Sequence, residues 1–326
     1  MTLSLAPMRK VTLCSACLLV AVFAAGSLSA QVIDPSRRQE ATLAPSAGPT
    51  LAESSDLDQR TLEQENAFAP SSLGDDDIGQ QLILKEVPKD QFFRAFADTF
   101  WLWTNNVANV PAGELEDSFY GGRIGVGWQP RIGSRTYADV SLSQQMVKYA
   151  EFDALNFESL EASASLMHIV PKLSNTLFFG SIVYNRITGD DFSQDLYQST
   201  SARVGAQKTF LINRRNSLHF SVLADWDLDT DVDQLFRDEY IGDVVWNFKI
   251  FRTLVLALNY RFTWLEYRRV DRGDALQFAA ATLSWQPKKW LELYTTLNFA
   301  VNNSNVPAFD SETTSAGGGL GVRIKF

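Results

Sequence analysis

The sequence predicts an all-β protein, a transmembrane antiparallel up-and-down β-barrel of about twelve strands that follows a signal peptide and a poorly ordered segment. Three observations predict this fold. Segments of about ten residues alternate apolar and polar positions from about Phe100 to the C-terminus. The connections between these segments alternate between short and long. The only apolar run close to the roughly 18 residues that a spanning helix requires lies at the N-terminus.

The N-terminal run has the order of a secretory signal peptide. Arg9 and Lys10 precede an apolar stretch over residues 11–25, and small residues lead to a predicted cleavage site after Ala30. Both cysteines of the chain, Cys14 and Cys17, lie inside this leader, so the exported protein is expected to contain no disulfide and no reactive thiol. Loss of Arg9 and Lys10 changes the formal net charge from −9 to −11, and this acidic balance argues against nucleic acid as a partner.

Residues 31–92 are predicted to be mostly disordered. Up to about residue 80 they combine proline, serine and acidic residues with few aromatic side chains and show no apolar period. A short apolar run over 81–93 is interrupted by Pro88, and the sequence leaves open whether it is a lead-in strand, a plug or a site for a partner. The predicted organisation is a leader (1–30), a disordered segment (31–92) and a barrel (93–326).

The barrel region shows the period of two that places alternate side chains on opposite faces of a strand. One segment, for example, has Leu293, Leu297 and Phe299 on one face and Tyr294 and Asn298 on the other. A soluble sandwich also alternates, so the count and spacing of the segments carry the prediction. Strands are predicted to start near residues 98, 118, 135, 155, 174, 196, 215, 240, 252, 274, 289 and 313.

The predicted connections differ in charge as well as in length. Longer ones fall at 108–117, 149–155, 188–195, 228–239, 269–273 and 302–312, and shorter ones at 130–134, 171–174, 213–216, 250–252 and 287–289. The short connections are basic (Arg131, Arg135, Lys172, Arg214, Arg215, Arg252, Lys288, Lys289) and the long ones are acidic (Glu114, Glu116, Asp117, Asp190, Asp191, Asp229, Asp231, Asp233, Asp310, Glu312). Aromatic side chains are predicted near strand ends, where girdles form at membrane interfaces (Trp128, Trp246, Trp285, Trp290, Tyr260, Trp264).

The last strand resembles the C-terminal signature of bacterial outer-membrane β-barrels. Phe326 is the final aromatic residue of that signature, and Leu320, Val322 and Ile324 occupy its alternating apolar positions. The resemblance implies an outer-membrane location, contact with lipid and lipopolysaccharide, and recognition of the final strand by the barrel assembly machinery. It also places residues 31–92 and both chain ends in the periplasm, where that segment has room for a periplasmic partner.

A second, looser resemblance covers about forty residues near the C-terminus. Trp285, Gln286 and Pro287, followed by the asparagine-rich stretch 302–305 and a glycine-rich last strand, are similar to putative porins of exopolysaccharide gene clusters. This resemblance implies a role in polymer export or in passage of a saccharide.

The face opposite the apolar one is predicted to line the lumen, because charged side chains are too costly to face hydrocarbon. The candidates are Arg123, Asp139, Glu161, Arg203, Asp225, Asp243, Arg261, Glu292 and Arg323. Two interpretations stay open: the arginines form a filter for ions or sugar acids, or the charges neutralise one another in a filled interior. Small inward residues are expected to keep part of the lumen open (Gly125, Gly127, Ser141, Ser163, Gly205, Gly317).

No catalytic site, metal centre or cofactor is predicted. Asp229, Asp231 and Asp233 have the spacing of a calcium loop, but Val232 stands where that loop needs glycine, so an acidic outer loop is the favoured interpretation. His219 and Ser221 share a strand face without an orienting third group, and no His/Cys cluster suits a transition metal.

The expected function is a porin-like passive channel for small polar solutes or acidic saccharides. The alternative is a non-conducting structural or accessory barrel of an exopolysaccharide export or envelope complex, with residues 31–92 as its docking arm. The two differ in whether the lumen is open.

Overall fold

The computed structural model describes residues 92–192 and 194–326 as a closed antiparallel barrel of twelve strands, in which each strand pairs with its neighbours in the chain and the last pairs with the first. The predicted fold class and strand number are confirmed. The predicted signal peptide (1–30), and all of the predicted disordered segment (31–92) except its last residue, lie outside the described residues.

The strands are β1 (Phe93–Thr104), β2 (Asp117–Trp128), β3 (Thr136–Tyr149), β4 (Phe157–Val170), β5 (Thr176–Thr188), β6 (Asp195–Asn213), β7 (Asn216–Thr230), β8 (Arg237–Lys249), β9 (Leu254–Tyr267), β10 (Arg272–Lys288), β11 (Leu291–Ser304) and β12 (Ser311–Lys325). Short 3₁₀ helices lie in the connections at Asp153–Leu155, Pro171–Leu173, Asp190–Phe192, Asp233–Leu235 and Pro307–Phe309. No helix in the described part of the chain has the length and apolar character to cross a membrane.

The alternation in the sequence sets which side chains face the interior. In β9, Tyr260, Phe262 and Trp264 are exposed on the outer face, whereas Arg261 and Thr263 between them are buried inside. A period of two places each set on one side of the pleated strand. The sequence of β9 therefore gives it an apolar outer face and a polar stretch on its inner face.

The two ends of the barrel differ in their connections. We call one the turn end, which has the connections 129–135, 171–175, 214–215, 250–253 and 289–290. We call the other the loop end, which has the connections 105–116, 150–156, 189–194, 231–236, 268–271 and 305–310. Several loops are shorter than predicted: the predicted connection 228–239 is reduced to 231–236 because the end of β7 stays paired with β6 as far as Thr230, and β8 is already paired with β9 from Arg237.

The final strand closes the barrel against β1. The backbone N–H of Phe93 donates to the carbonyl of Phe326 and that of Phe326 donates to the carbonyl of Phe93, both at 3.0 Å. The Phe93 ring stacks on Phe326 at 5.9 Å and on Trp128 at 6.4 Å, which forms an aromatic patch on the outer face at the turn end. Leu320 and Ile324 are exposed on this outer face.

The aromatic positions predicted for strand ends follow that prediction with one exception. Trp128, Trp246, Trp285 and Trp290 lie near the turn end, and Trp264 lies near the loop end. Tyr260 instead lies in the middle of β9, where its hydroxyl donates to Gln277 at 3.1 Å. The outward positions of β9 are apolar along much of the strand, so the sequence pattern does not show how far Tyr260 lies from the strand end, and its prediction near an end was wrong.

Inward-facing side chains form two apolar clusters with a polar layer between them. The loop-end cluster consists of Phe100, Leu102, Val107, Phe119, Val147, Tyr149, Leu155, Phe157, Ile187, Tyr197, Leu235, Leu265 and Tyr267. The turn-end cluster consists of Tyr137, Met167, Ile169, Leu177, Phe179 and Leu223. The sequence analysis predicted a charged lumen and missed these clusters, because inward aromatic side chains interrupt the simple alternation of polar and apolar faces.

The small inward residues do not hold the lumen open, contrary to expectation. A Cβ built on Gly125 would lie 2.4 Å from the Phe96 ring, and one on Gly205 would lie 2.5 Å from the Phe179 ring. The glycines therefore receive large side chains from the neighbouring strand. Similarly, Ser141 and Ser163 are occupied with a mutual hydrogen bond of 2.7 Å. Space that the sequence suggested for solute is filled by cross-strand packing.

Candidate functional site: the charged belt of the lumen

Three arginine–aspartate pairs occupy the central part of the lumen. Each pair joins residues that stand directly opposite each other on adjacent strands, Asp98 with Arg123 on β1 and β2, Arg203 with Asp225 on β6 and β7, and Asp243 with Arg261 on β8 and β9. Directly opposed side chains on one face lie close enough for ion pairing. We call these six residues the central belt.

The pairs differ in their access to water. Arg203 Nε lies 2.5 Å from Asp225 Oδ2, Arg123 Nη2 lies 3.1 Å from Asp98 Oδ2, and Arg261 Nε lies 3.3 Å from Asp243 Oδ1. Both members of the Arg261 pair are almost fully buried, whereas the Arg123 and Arg203 side chains keep 32% and 28% of their exposure inside a closed barrel. Water-sized space therefore reaches two of the three pairs.

A fourth pair lies nearer the turn end and crosses one strand. Arg94 on β1 forms a two-pronged contact with Asp139 on β3 at 2.6 and 3.1 Å, and Gln129 also donates to Asp139 at 3.3 Å. The intervening residue is Gly127, where a Cβ would lie 2.6 Å from the Arg94 guanidinium. Glycine at this position lets the arginine reach across β2.

The remaining predicted lumen residues are not drawn into pairs. Glu161 and Glu292 face inward on β4 and β11, and Arg323 faces inward on β12 near the turn end. Among the described residues none of the three forms an ion pair.

Three buried polar atoms that face the lumen have no protein hydrogen-bond partner in the described part of the chain. They are Gln145 Nε2, Asp225 Oδ1 and Asn259 Oδ1. An unpaired buried polar atom costs on the order of 1–3 kcal/mol, and ordered water is the usual way to satisfy it. The central belt is therefore expected to be wet.

Most of the predicted lumen arginines are neutralised by a carboxylate on the neighbouring strand. Of the four predicted lumen arginines, Arg123, Arg203 and Arg261 each face a carboxylate, and only Arg323 lies outside such a pair among the described residues. Opposite charges at 2.5 to 3.3 Å cancel most of each other's field at the distance of a passing ion. The geometry favours a neutralised network over an arginine filter.

The first loop folds over the loop end of the lumen. Val107, Ala108 and Val110 in the loop 105–116 are buried, and Val107 belongs to the loop-end cluster. Asn106, fully buried, accepts the Val110 N–H at 3.1 Å and donates to the carbonyls of Val110 at 2.8 Å and Glu312 at 3.0 Å. One asparagine thus closes the loop on itself and fastens it to β12.

Carboxylates at strand ends hold the neighbouring loops in the same way. Asp117 at the start of β2 accepts the backbone N–H groups of Glu151 and Phe152 at 3.2 Å. Glu158 at the start of β4 accepts the N–H of Phe192 at 3.0 Å. The sequence predicts Asp117 in an acidic loop, and no sequence signal singles out Glu158; both are buried near the start of a strand, where they hold the adjacent loop.

The loop 189–194 is expected to loosen in acid. The side-chain hydrogen bond from Lys148, followed by one from Asn156, lowers the pKa of Asp190 from its usual value. A lowered pKa in the folded state means that this contribution is present above the ordinary carboxyl range of about 4 and is lost as pH falls through the lower folded value. Hydrogen exchange in residues 189–194 should therefore rise at low pH, and in Asp190→Asn it should already be raised at neutral pH.

The weaker sequence candidates are dispersed. Asp231 accepts the Gln198 N–H at 2.8 Å, Asp233 pairs with Arg269, and Asp229 is exposed at the end of β7. No group of three potential ligands for a metal occurs within residues 92–192 and 194–326. His219 hydrogen-bonds Thr209 at 2.6 Å and Ser217 at 3.4 Å, and Ser221 is not among its partners.

Comparison with solved structures finds a similar barrel fold in outer-membrane proteins. An outer membrane channel from Pseudomonas putida F1 superposes with a TM-score of 0.53 at 11% identity, over 72% of this chain and 97% of that one. The NanC porin (TM-score 0.42, 9% identity, 70% of this chain and 100% of that one) and the KdgM porin in complex with disordered oligogalacturonate (0.39, 10%, 69% and 98%) are less similar.

No protein-family model matches the sequence, and no curated protein matches it either. The resemblance to bacterial outer-membrane β-barrels is confirmed at the level of the fold.

Proposed function

We propose that the protein is a passive channel of the bacterial outer membrane that conducts small polar solutes slowly and with little preference for their charge. The observation that carries the proposal is the central belt, in which the arginines are paired but two pairs remain accessible to water. A wet, hydrogen-bonding and nearly neutral constriction offers small polar molecules a path without a strong field.

The orientation follows from the ends of the barrel. The turn end faces the periplasm, with Phe326 beside Phe93 at its rim, and the acidic loops face outward. In this orientation the apolar outer face contacts phospholipid in one leaflet and lipopolysaccharide in the other. Leu320, Val322, Ile324 and Phe326 form the signal for the barrel assembly machinery. An exported chain with a cleaved leader (1–30) is part of this proposal.

The pairing of the arginines disfavours an acidic saccharide as the preferred solute. An acidic chain would have to displace Asp98 or Asp225 from its arginine before it gained a cationic partner. Breaking a partly buried ion pair costs more free energy than the acidic solute would recover by pairing with the released arginine. Neutral, polar solutes are therefore the better fit.

Removing the aspartates of the two accessible pairs is expected to make the channel select anions. In Asp98→Asn with Asp225→Asn, Arg123 and Arg203 keep a hydrogen-bond partner but lose the neutralising charge. The ratio of anion to cation permeability, measured as a reversal potential across a salt gradient in a planar bilayer, should rise about tenfold if the field changes by about 1.4 kcal/mol. Glu116→Gln with Glu312→Gln at the exposed loop end has the same charge change and should leave the ratio near that of the parent.

An unchanged reversal potential in the double variant would contradict a path through the central belt. Absence of any conductance, both in the parent and in a variant with a loosened first loop, would contradict the channel itself.

One observation favours the second candidate, a non-conducting accessory barrel of an envelope or exopolysaccharide export complex. The loop-end cluster draws on β1 to β6, on β9 and on three loops, and its members are almost fully buried. Such packing is typical of a filled interior. Under this alternative, loosening the first loop produces no conductance, and loss of the protein affects polymer export without affecting solute uptake by intact cells.

A further inference from the structure

The turn end carries a ring of basic side chains without partners. Lys172, Arg214, Arg215, Arg252 and Lys289 are exposed in four of its five turns. Within residues 92–192 and 194–326, none of these five side chains forms an ion pair or side-chain hydrogen bond. The five turns contain no acidic residue that could neutralise them.

The loop end is the opposite case. Its basic side chains are matched with carboxylates: Lys148 with Asp190, Arg186 with Asp195, Arg237 with Glu239, Arg268 with Asp238, Arg269 with Asp233, and Arg272 with Asp274. A solvated surface explains bases at either end, but not why the loop-end bases are paired with carboxylates while these five turn-end bases have no such partner among the described residues. The turn end therefore has a rim of positive charge that an acidic partner could neutralise.

The segment before β1 is acidic and starts from that same end. Residues 31–91 contain twelve acidic and five basic residues, among them the run Asp75, Asp76 and Asp77. The segment joins the barrel at Phe92, whose carbonyl accepts the N–H of Gln129 at the turn end at 2.7 Å. Its charge is thus opposite in sign to the rim beside which it emerges.

The segment is also long enough to reach the whole rim. Between Asp77 and Phe92 an extended chain covers roughly 50 Å, at about 3.3 Å per residue. Twelve strands spaced about 4.8 Å apart and tilted by about 40° form a barrel roughly 25 Å across. The acidic run can therefore reach the β6–β7 turn, which lies nearly opposite β1.

We propose that residues 31–91 dock, through their acidic side chains, on the basic rim formed by Lys172, Arg214, Arg215, Arg252 and Lys289. The exposed apolar side chains beside these bases, Leu173, Leu211, Ile212 and Phe251, are the surface that the docked segment shields. The proposal concerns one chain and does not depend on whether the barrel conducts.

Proximity cross-linking within the full chain tests the docking. In a background with Cys14→Ala and Cys17→Ala, Ser72→Cys beside the acidic run is paired with Ile212→Cys at the rim. The control pair is Ser72→Cys with Leu228→Cys, which is equally exposed at the loop end of the same hairpin. A short bis-maleimide should join the first pair and leave the second unjoined.

Charge variants show whether the contact is electrostatic. Arg214→Glu with Arg215→Glu should lower the cross-linking yield about fivefold, the size of a few weak surface ion pairs. Replacing Asp75, Asp76 and Asp77 with lysine in that variant should restore it. High salt should lower the yield of the parent pair by screening.

Three results would overturn the proposal. Equal yields with Ile212→Cys and Leu228→Cys would show an undirected segment. A cross-linking yield that does not change when the rim charges are reversed would show that the contact is not electrostatic. Cross-links between differently tagged chains would show that the segment binds a second copy of the protein. If the rim instead binds anionic phospholipid, Arg214→Glu with Arg215→Glu would weaken flotation with phosphatidylglycerol vesicles while the cross-linking yield stayed unchanged.

Discussion

Gly317→Ala is expected to prevent most chains from forming a stable barrel. Gly317 faces inward on β12, and a Cβ there would lie 2.1 Å from the Trp101 carbonyl oxygen and 2.7 Å from the Leu102 Cα. These are backbone atoms of the strand that closes the barrel, so they cannot move aside without opening the β1–β12 seam. Overpacking of this kind costs roughly 1–3 kcal/mol and is more costly where the backbone cannot relax.

Gly321→Ala is the matched control for this effect. Gly321 lies on the same face of the same strand, but its Cβ would meet only the Asp98 Cβ, at an ordinary 3.8 Å. The folded fraction, measured by the faster migration of unheated barrels in gel electrophoresis, should fall sharply for Gly317→Ala and stay near the parent for Gly321→Ala. Equal folded fractions in the two variants would show that the β1–β12 pairing can move far enough to accept a Cβ at position 317.

Asn106→Ala is expected to raise conductance several-fold and to make openings longer. The substitution removes the two carbonyl contacts and the N–H contact that hold the loop 105–116 on the barrel mouth. It leaves the carbonyls of Val110 and Glu312 without their amide donor, at a cost of about 1–3 kcal/mol for each that stays buried. The loop should then leave the loop-end cluster and expose the lumen, which single-channel recording in a planar bilayer detects.

Asn303→Ala separates this effect from a general loss of asparagine at the loop end. Asn303 lies close to the same end on β11, is exposed, and shares no hydrogen bond with the first loop. Its conductance should match that of the parent. If Asn106→Ala also conducts like the parent, then either the path avoids the first loop or the barrel is closed elsewhere.

The two large effects act on different features of one design. Gly317 allows β12 to pair with β1 and close the barrel, whereas Asn106 holds the loop 105–116 over the loop end of the closed barrel. The loop-end cluster lies between the central belt and the loop-end solvent, so a solute that crosses the belt still meets it. The proposed slow conductance follows from this series arrangement.

The sequence by itself determined the fold. Twelve alternating segments, the sorting of basic and acidic connections and the final strand up to Phe326 predicted a closed barrel of the observed strand number. These signals are local, because period two and turn chemistry act over a few residues. The face on which Arg123, Asp225 or Arg261 lies follows from the same period.

Tertiary structure alone decided what the lumen residues do. Register pairs Arg203 with Asp225 and Asp243 with Arg261, and a shift of two residues between β8 and β9 would leave Asp243 and Arg261 inward but no longer opposite each other. Gly125 appeared to create space until the neighbouring strand brought Phe96 over it. The role of Asn106 leaves no pattern in the sequence, because its partner in β12, the Glu312 carbonyl, lies 206 positions away. Side-chain direction is a local property of a strand, whereas pairing, filling and closure depend on which strand lies beside it.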